Sequence, residues 1–190
     1  MVAPEVERRL VHASGASVPI AYTFGLVPWT WVQAVFVGGA LLALGFEALR
    51  LTGTVDLWAF EKLTREYEQD NLAGYALYML SMGAATLLFD PQVAVPSMLM
   101  LALADPVSGL LGSGELRAVK SASVLFVMFA VCALIAWPFV SSPVAIVLGA
   151  LAATLADGVK PVFRGYVIDD NLTIPLAAGA AMTAALALAL

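Results

Sequence analysis

Several aspartates interrupt or border apolar runs, among them Asp105 in LALADPVSGLLGSG, Asp157 in TLADGVKP, and the pair Asp169-Asp170 in VIDDNLTIPLAAG, directly ahead of the uncharged stretch 171–190. An ionisable group inside an apolar segment is costly to desolvate and is a functional candidate by default. Asp105, Asp157 and Asp170 would together form an all-oxygen donor set suited to Mg2+, a hard ion that also takes water and phosphate oxygens. After Asp105 come Gly109, Gly112 and Gly114, then Arg117 and Lys120, then Ser121 and Ser123. Glycine lets backbone approach a ligand closely, and a lysine with a hydroxyl at the start of a helix suits a phosphate drawn by free N–H groups and the helix dipole. The pattern GxxxxGK[ST] is absent, so this is not a P-loop. His12 follows Arg8 and Arg9 by about one helical turn, so one face can carry all three, and the arginines suit a phosphate contact.

Capping competes with this reading at one place. Asp170-Asn171-Leu172 repeats Asp70-Asn71-Leu72, and Asp and Asn are good N-caps because their side-chain oxygens accept from free backbone N–H groups. Capping is therefore expected at both copies, but it explains neither Asp169 nor Asp157.

These side chains must be positioned by membrane helices. The chain has 190 residues, 62% hydrophobic and 12% charged, with mean hydropathy +0.93, whereas a soluble domain carries roughly 25% charged residues. Composition thus predicts an integral membrane protein. Uncharged stretches cover 13–46, 71–89, 91–104, 106–114, 121–156 and 171–190, against the roughly 20 residues that one crossing needs. The two longest break at Val27-Pro28 and at Ser141-Ser142-Pro143, both turn signals. The expected fold is all-α, a polytopic bundle of about seven transmembrane helices near 13–27, 30–50, 71–89, 92–112, 121–140, 143–158 and 172–190. It forms one transmembrane domain, 1–190, without a linker. Within 51–70, Leu57, Phe60, Leu63 and Tyr67 recur at helical spacing among charges, which predicts a short amphipathic segment on the cytoplasmic interface.

Charge placement gives an independent test, because Lys and Arg favour the cytoplasmic side. With these spans all nine basic residues fall on one face, together with every acidic residue except Asp90. The N-terminus is expected in the cytoplasm and the C-terminus outside. The pI of about 4.7 does not demand a basic partner when both signs share one face, and no nucleic-acid partner is expected. Cys132 is the single cysteine and can form no internal disulfide. The apolar run after Arg8-Arg9 continues to Phe46 without a convincing cleavage site, so no processing is expected.

Taken together, these segments resemble the CTP-dependent polyprenol kinases, the family of dolichol kinase and phytol kinase, along nearly the whole chain. Arg8-Arg9-Leu10-Val11-His12-Ala13-Ser14-Gly15 is similar to that family's opening of basic residues, His and Gly. Arg65 and Glu68, ahead of Gly74-Tyr75, are similar to its cytoplasmic Arg/Glu motif. Asp105-Pro106-Val107-Ser108-Gly109 with Gly112 resembles its D-x-x-A-x-x-x-G turn, and Lys120-Ser121 its Lys-Ser/Thr. Asp157 stands where relatives often carry Glu, and Asp170-Asn171-Leu172-Thr173-Ile174-Pro175-Leu176 resembles DNLTIPL. The chain departs from the family where Lys120-Ser121-Ala122-Ser123 lacks the Glu-Gly of Lys-Ser/Thr-x-Glu-Gly-Ser, and the segment from Gly112 to Lys120 is short.

The resemblance implies Mg2+-dependent transfer of the γ-phosphoryl group of CTP to the hydroxyl of an isoprenoid alcohol (polyprenol, dolichol, geranylgeraniol or phytol) that enters from the bilayer while the nucleotide arrives from the cytosol. It implies Asp105, Lys120 and Asp170 as catalytic residues and Asp105, Asp157 and Asp170 as metal ligands. Arg8, Arg9, His12, Arg65, Glu68, Gly109, Gly112, Arg117, Ser121 and Asn171 would line the nucleotide phosphates. Two alternatives use similar parts: a CTP-dependent lipid-phosphate cytidylyltransferase, although the His-Gly-Gly and paired Asp-Arg signature of CDP-lipid synthases is missing, and a small membrane transporter, whose ion path also needs charges near broken helices.

Overall fold

The computed structural model describes residues 4–53, 64, 71–112, 119–159, 162–163 and 166–188. The expected amphipathic segment 51–70 lies outside these residues apart from 51–53 and Thr64, as do Arg65, Glu68 and Arg117. Among the described residues the regular elements are helices and a small hairpin. Helices α1 (Pro4–Ser14), α2 (Ser17–Thr23), α3 (Trp29–Leu51) and α4 (Gly74–Leu88) are followed by α5 (Pro91–Leu99), which runs through a π turn (Met100–Ala104) into α6 (Asp105–Leu111). Then come α7 (Ala122–Ala136), α8 (Pro143–Gly158), strands β1 (Val162–Phe163) and β2 (Tyr166–Val167), and α9 (Asp170–Ala187). The strands pair antiparallel, with Val162 opposite Val167.

Most boundaries fall at the turn signals. Pro28 is the N-cap residue of α3 and Pro91 opens α5. Ser142 caps α8 by accepting from Ala145 N at 3.2 Å, with Pro143 in the first turn, where its missing N–H costs nothing. The expected helix 13–27 is corrected, because it is two pieces. α1 ends at Ser14, α2 is only seven residues long, and Gly25 in the left-handed region (φ 69°) closes α2 as Leu26 N bonds back to Ala21 O.

Two helices, Trp29–Leu51 and Pro91–Leu111, are long and apolar enough to cross a membrane by length and composition; Gly74–Leu88, Ala122–Ala136 and Pro143–Gly158 are shorter apolar helices. Small residues face inward and large ones outward. α8 buries Ala145, Gly149, Ala150, Ala153 and Gly158, and exposes Val147, Leu148, Leu151 and Leu155. α9 packs closely along it, burying Ala178, Gly179, Met182 and Ala185. Small side chains at the contact let helix backbones approach. Where bulk is needed, Phe36, Met82, Met98, Met100, Leu101 and Met128 fill the core.

Helix ends and proline gaps are closed by side chains from neighbouring helices. α3 holds both ends of α4. At the start, Ala73 N donates to Glu47 Oε2 (2.9 Å); at the finish, Gln33 Nε2 donates to Thr86 O (3.0 Å). The capping expected of Asp70-Asn71 is corrected, since α4 begins at Gly74 and its N-cap residue is Ala73. Glu47, 1% exposed, also accepts from Arg50 Nε (2.9 Å), Arg50 Nη2 (2.7 Å) and Tyr75 OH (2.5 Å). Removing a buried carboxylate strands its partners. Glu47→Ala is therefore expected to cost about 3 kcal/mol of stability, measured by unfolding in detergent or nanodiscs; an unchanged midpoint would show the clasp to be unimportant. Pro175, inside α9, has no N–H for the carbonyl of Asn171, and Ser81 Oγ of α4 donates to that carbonyl at 2.6 Å.

Candidate metal and phosphate site

Three of the aspartates converge. Asp105 opens α6, Asp157 is the penultimate residue of α8 and Asp170 opens α9. One oxygen from each carboxylate lies within 4.8 Å of one from each of the others. Oxygens sharing an octahedral Mg2+ at about 2.1 Å stand roughly 3 to 4 Å apart, so these hard donors fit such an ion with small side-chain adjustments. Asp157 is fully buried and Asp170 nearly so. Such closeness of anions is unfavourable without a compensating cation.

Lys120 supplies part of that compensation. Its Nζ donates to Asp157 Oδ1 at 2.6 Å and to Ser108 Oγ at 3.0 Å, while Ser108 Oγ donates to Asp157 Oδ2 at 2.7 Å. The lysine is placed by backbone: its N–H donates to Gly158 O (3.1 Å) and Val119 bridges Val159, tying the approach to α7 onto the end of α8. Three carboxylates this close to one another favour a cation held among them.

α1 docks against the π turn and α6. Arg9 Nη1 donates to Pro106 O at 3.2 Å, and its guanidinium lies across Gly109, where a Cβ would overlap it. Gly109 thus serves the close approach of an arginine instead of bare backbone offered to a ligand. Arg8, on the same helix, is half-buried. His12 Nε2 lies 2.9 Å from Leu101 O and 3.5 Å from Asp105 Oδ2. Tyr78 OH donates to His12 O (3.1 Å), the two rings meet edge-on at 4.6 Å, and Gly15 leaves room for the tyrosine hydroxyl.

At α9 the capping expectation is corrected in detail. The N-cap is Asp169, whose Oδ1 accepts from Asn171 N (2.9 Å) and Asn171 Nδ2 (2.6 Å). Asp170 is the first helical residue; its Oδ1 accepts from Asn171 N at 3.1 Å, and its carboxylate belongs to the acidic cluster. The Oδ1 of Asn171 is buried without a partner among the described residues. Gly112 terminates α6, and Ser121, the N-cap residue of α7, is exposed with its hydroxyl 3.1 Å from Ser123 Oγ.

Ser108 and Tyr78 are contributors that sequence reasoning missed, as it missed Glu47 in the clasp between α3 and α4. Ser108 had a signal, since it follows Asp105 by three residues and so shares its helix face. Glu47 and Tyr78 had none, because Ala73, Tyr75 and His12 are brought to them by helix packing. No family model, curated protein or solved structure matches the chain.

Proposed function

We propose that this chain is a membrane-embedded kinase that moves the γ-phosphoryl group of a nucleoside triphosphate, CTP by the family resemblance, to the hydroxyl of an isoprenoid alcohol. One observation carries the reading: Asp105, Asp157 and Asp170, on three different helices, bring carboxylate oxygens within 4.8 Å of one another, with Lys120 bonded to the cluster and Arg9 and His12 beside it. Phosphoryl transfer asks a protein mainly for positioning and charge neutralisation, and this arrangement offers both.

Under this reading Asp105, Asp157 and Asp170 hold Mg2+, which when bound neutralises phosphate charge and orients the triphosphate. Lys120, Arg8 and Arg9, with Arg117, draw the phosphates, and the N-terminus of α9 adds its partial positive charge. One of Asp105 and Asp170 takes the proton of the alcohol as its oxygen bonds to the γ-phosphorus. The bond from that phosphorus to the β–γ bridging oxygen breaks, the nucleoside diphosphate leaves, and the proton passes to water.

The outer surface supports a lipid substrate. Leu41, Leu42, Leu87, Leu88, Phe126, Leu134 and Trp137 are exposed around the bundle, and a broad exposed apolar surface marks contact with lipid or protein. The crossings under this reading are α1 with α2, α3, α4, α5 through α6, α7, α8 and α9, with the N-terminus and the site on the cytoplasmic side and the C-terminus outside. The first crossing is the broken one.

The test uses purified protein in nanodiscs with Mg2+, CTP labelled in the γ- or α-phosphate, and geranylgeraniol, phytol, dolichol-length alcohols or their monophosphates as acceptors. The kinase moves γ-label to an alcohol, and EDTA stops it. Transfer of α-label to a lipid phosphate would instead establish a cytidylyltransferase, and no transfer to any acceptor, with ATP as well as CTP, sinks the proposal.

A further inference from the structure

The π turn before Asp105 contains a gap that the helix cannot close. Asp105 N donates to Met100 O, five residues back. The next bond in that pattern would run from residue 106 to Leu101 O, and residue 106 is proline, which has no N–H. The carbonyl of Leu101, a fully buried residue, would lack that donor. His12 Nε2 stands 2.9 Å from it.

We propose that His12 is a positioning residue, whose imidazole N–H replaces the donor missing at Pro106 and so holds the π turn and Asp105 in register with Asp157 and Asp170. This rests on the reading of those carboxylates given above. At 3.5 Å the same nitrogen is too far from Asp105 Oδ2 for a good hydrogen bond, so the carboxylate keeps its oxygens for the cluster. The ring is itself held, edge-on to Tyr78, whose hydroxyl bonds to His12 O. Ser81 does the equivalent at α9, where Pro175 leaves the carbonyl of Asn171 one residue from Asp170. Two of the three aspartates therefore sit beside proline gaps that α1 and α4 fill, and the geometry of the site depends on α1 staying docked.

The experiment compares His12→Phe, which keeps a ring against Tyr78 but has no N–H, with His12→Gln, which keeps a donor. In metal-free protein in nanodiscs, amide exchange across 100–105 is expected to speed up about tenfold in the Phe variant and stay near wild type in the Gln variant. The Mg2+ concentration for half-maximal turnover is expected to rise about tenfold in the Phe variant, with the KM for alcohol unchanged. A phosphate-contact role predicts another pattern: both variants raise the KM for nucleotide and leave exchange alone.

A double-mutant cycle with Pro106→Ala isolates the pairing. Alanine restores the helix's own donor to Leu101 O, so His12→Phe should then have little effect on exchange, and should fold in that background even if it does not alone. Equal effects of His12→Phe in both backgrounds, or failure to fold in both, overturn the inference. Because exchange is measured without metal or substrate, an inactive wild type that still shows this coupling would sink the kinase reading and leave the pairing of His12 with the π turn intact.

Discussion

Under the proposed phosphoryl transfer, Asp105→Asn is expected to lose at least a hundredfold in turnover while leaving a folded protein that is more stable than wild type in EDTA. The amide keeps the shape of the carboxylate and removes one of the three acidic groups that converge within 4.8 Å. Loss of one electrostatic stabiliser at a reacting centre commonly costs about a hundred- to a thousandfold. Stability moves the other way, because like charges that close repel one another; relief on the order of 1 kcal/mol is expected for the metal-free protein. Under the proposed reading Mg2+ would stabilise wild type by binding the native state, and that increment should shrink in the variant. Opposite movement of activity and metal-free stability is the signature of a charge kept for function. If the variant turns over normally, or is less stable than wild type in EDTA, Asp105 is a structural group and leaves the mechanism.

Lys120→Met should damage both properties. Its Nζ, bonded to Asp157 Oδ1 at 2.6 Å and Ser108 Oγ at 3.0 Å, is the ion-pair partner of a fully buried carboxylate. Removing one member of such a pair leaves the other charged and unsolvated, a loss of about 3 kcal/mol, and turnover should fall at least a hundredfold with it. Combining Lys120→Met with Asp157→Asn removes the stranded charge as well, so stability should return while turnover does not. Unfolding curves of the two singles and the double, beside phosphoryl-transfer rates, measure both effects. Recovery of turnover in the double variant would show that Lys120 acts only by holding Asp157.

The legible part of the site was the set of expensive residues. Asp105, Asp157 and Asp170 stand out because apolar surroundings make any carboxylate conspicuous, and the three do meet. Lys120 stood out by its place after a glycine run, and it reaches the cluster through Asp157. Capping was less legible. Asp70-Asn71 and Asp170-Asn171 look alike, yet Ala73 is the N-cap residue of α4 and Asp169 that of α9. Local sequence offers several polar residues as caps, and the end of the neighbouring helix decides which one is used; at α4 the oxygen comes from Glu47, 26 residues away.

Sequence by itself determined the helical character of the chain, the turns at Pro28, Asp90-Pro91 and Ser142-Pro143, and the residue types fit for metal and phosphate chemistry. Hydropathy, proline and carboxylate chemistry act locally, so they can be recognised without neighbours. Tertiary structure alone decided that the segment expected at 13–27 is broken, that Arg9 lies over Gly109, that Ser108 joins Lys120 to Asp157, and that His12 meets the carbonyl left by Pro106. Those outcomes depend on which helix faces which, and close packing settles that only when the whole chain has folded.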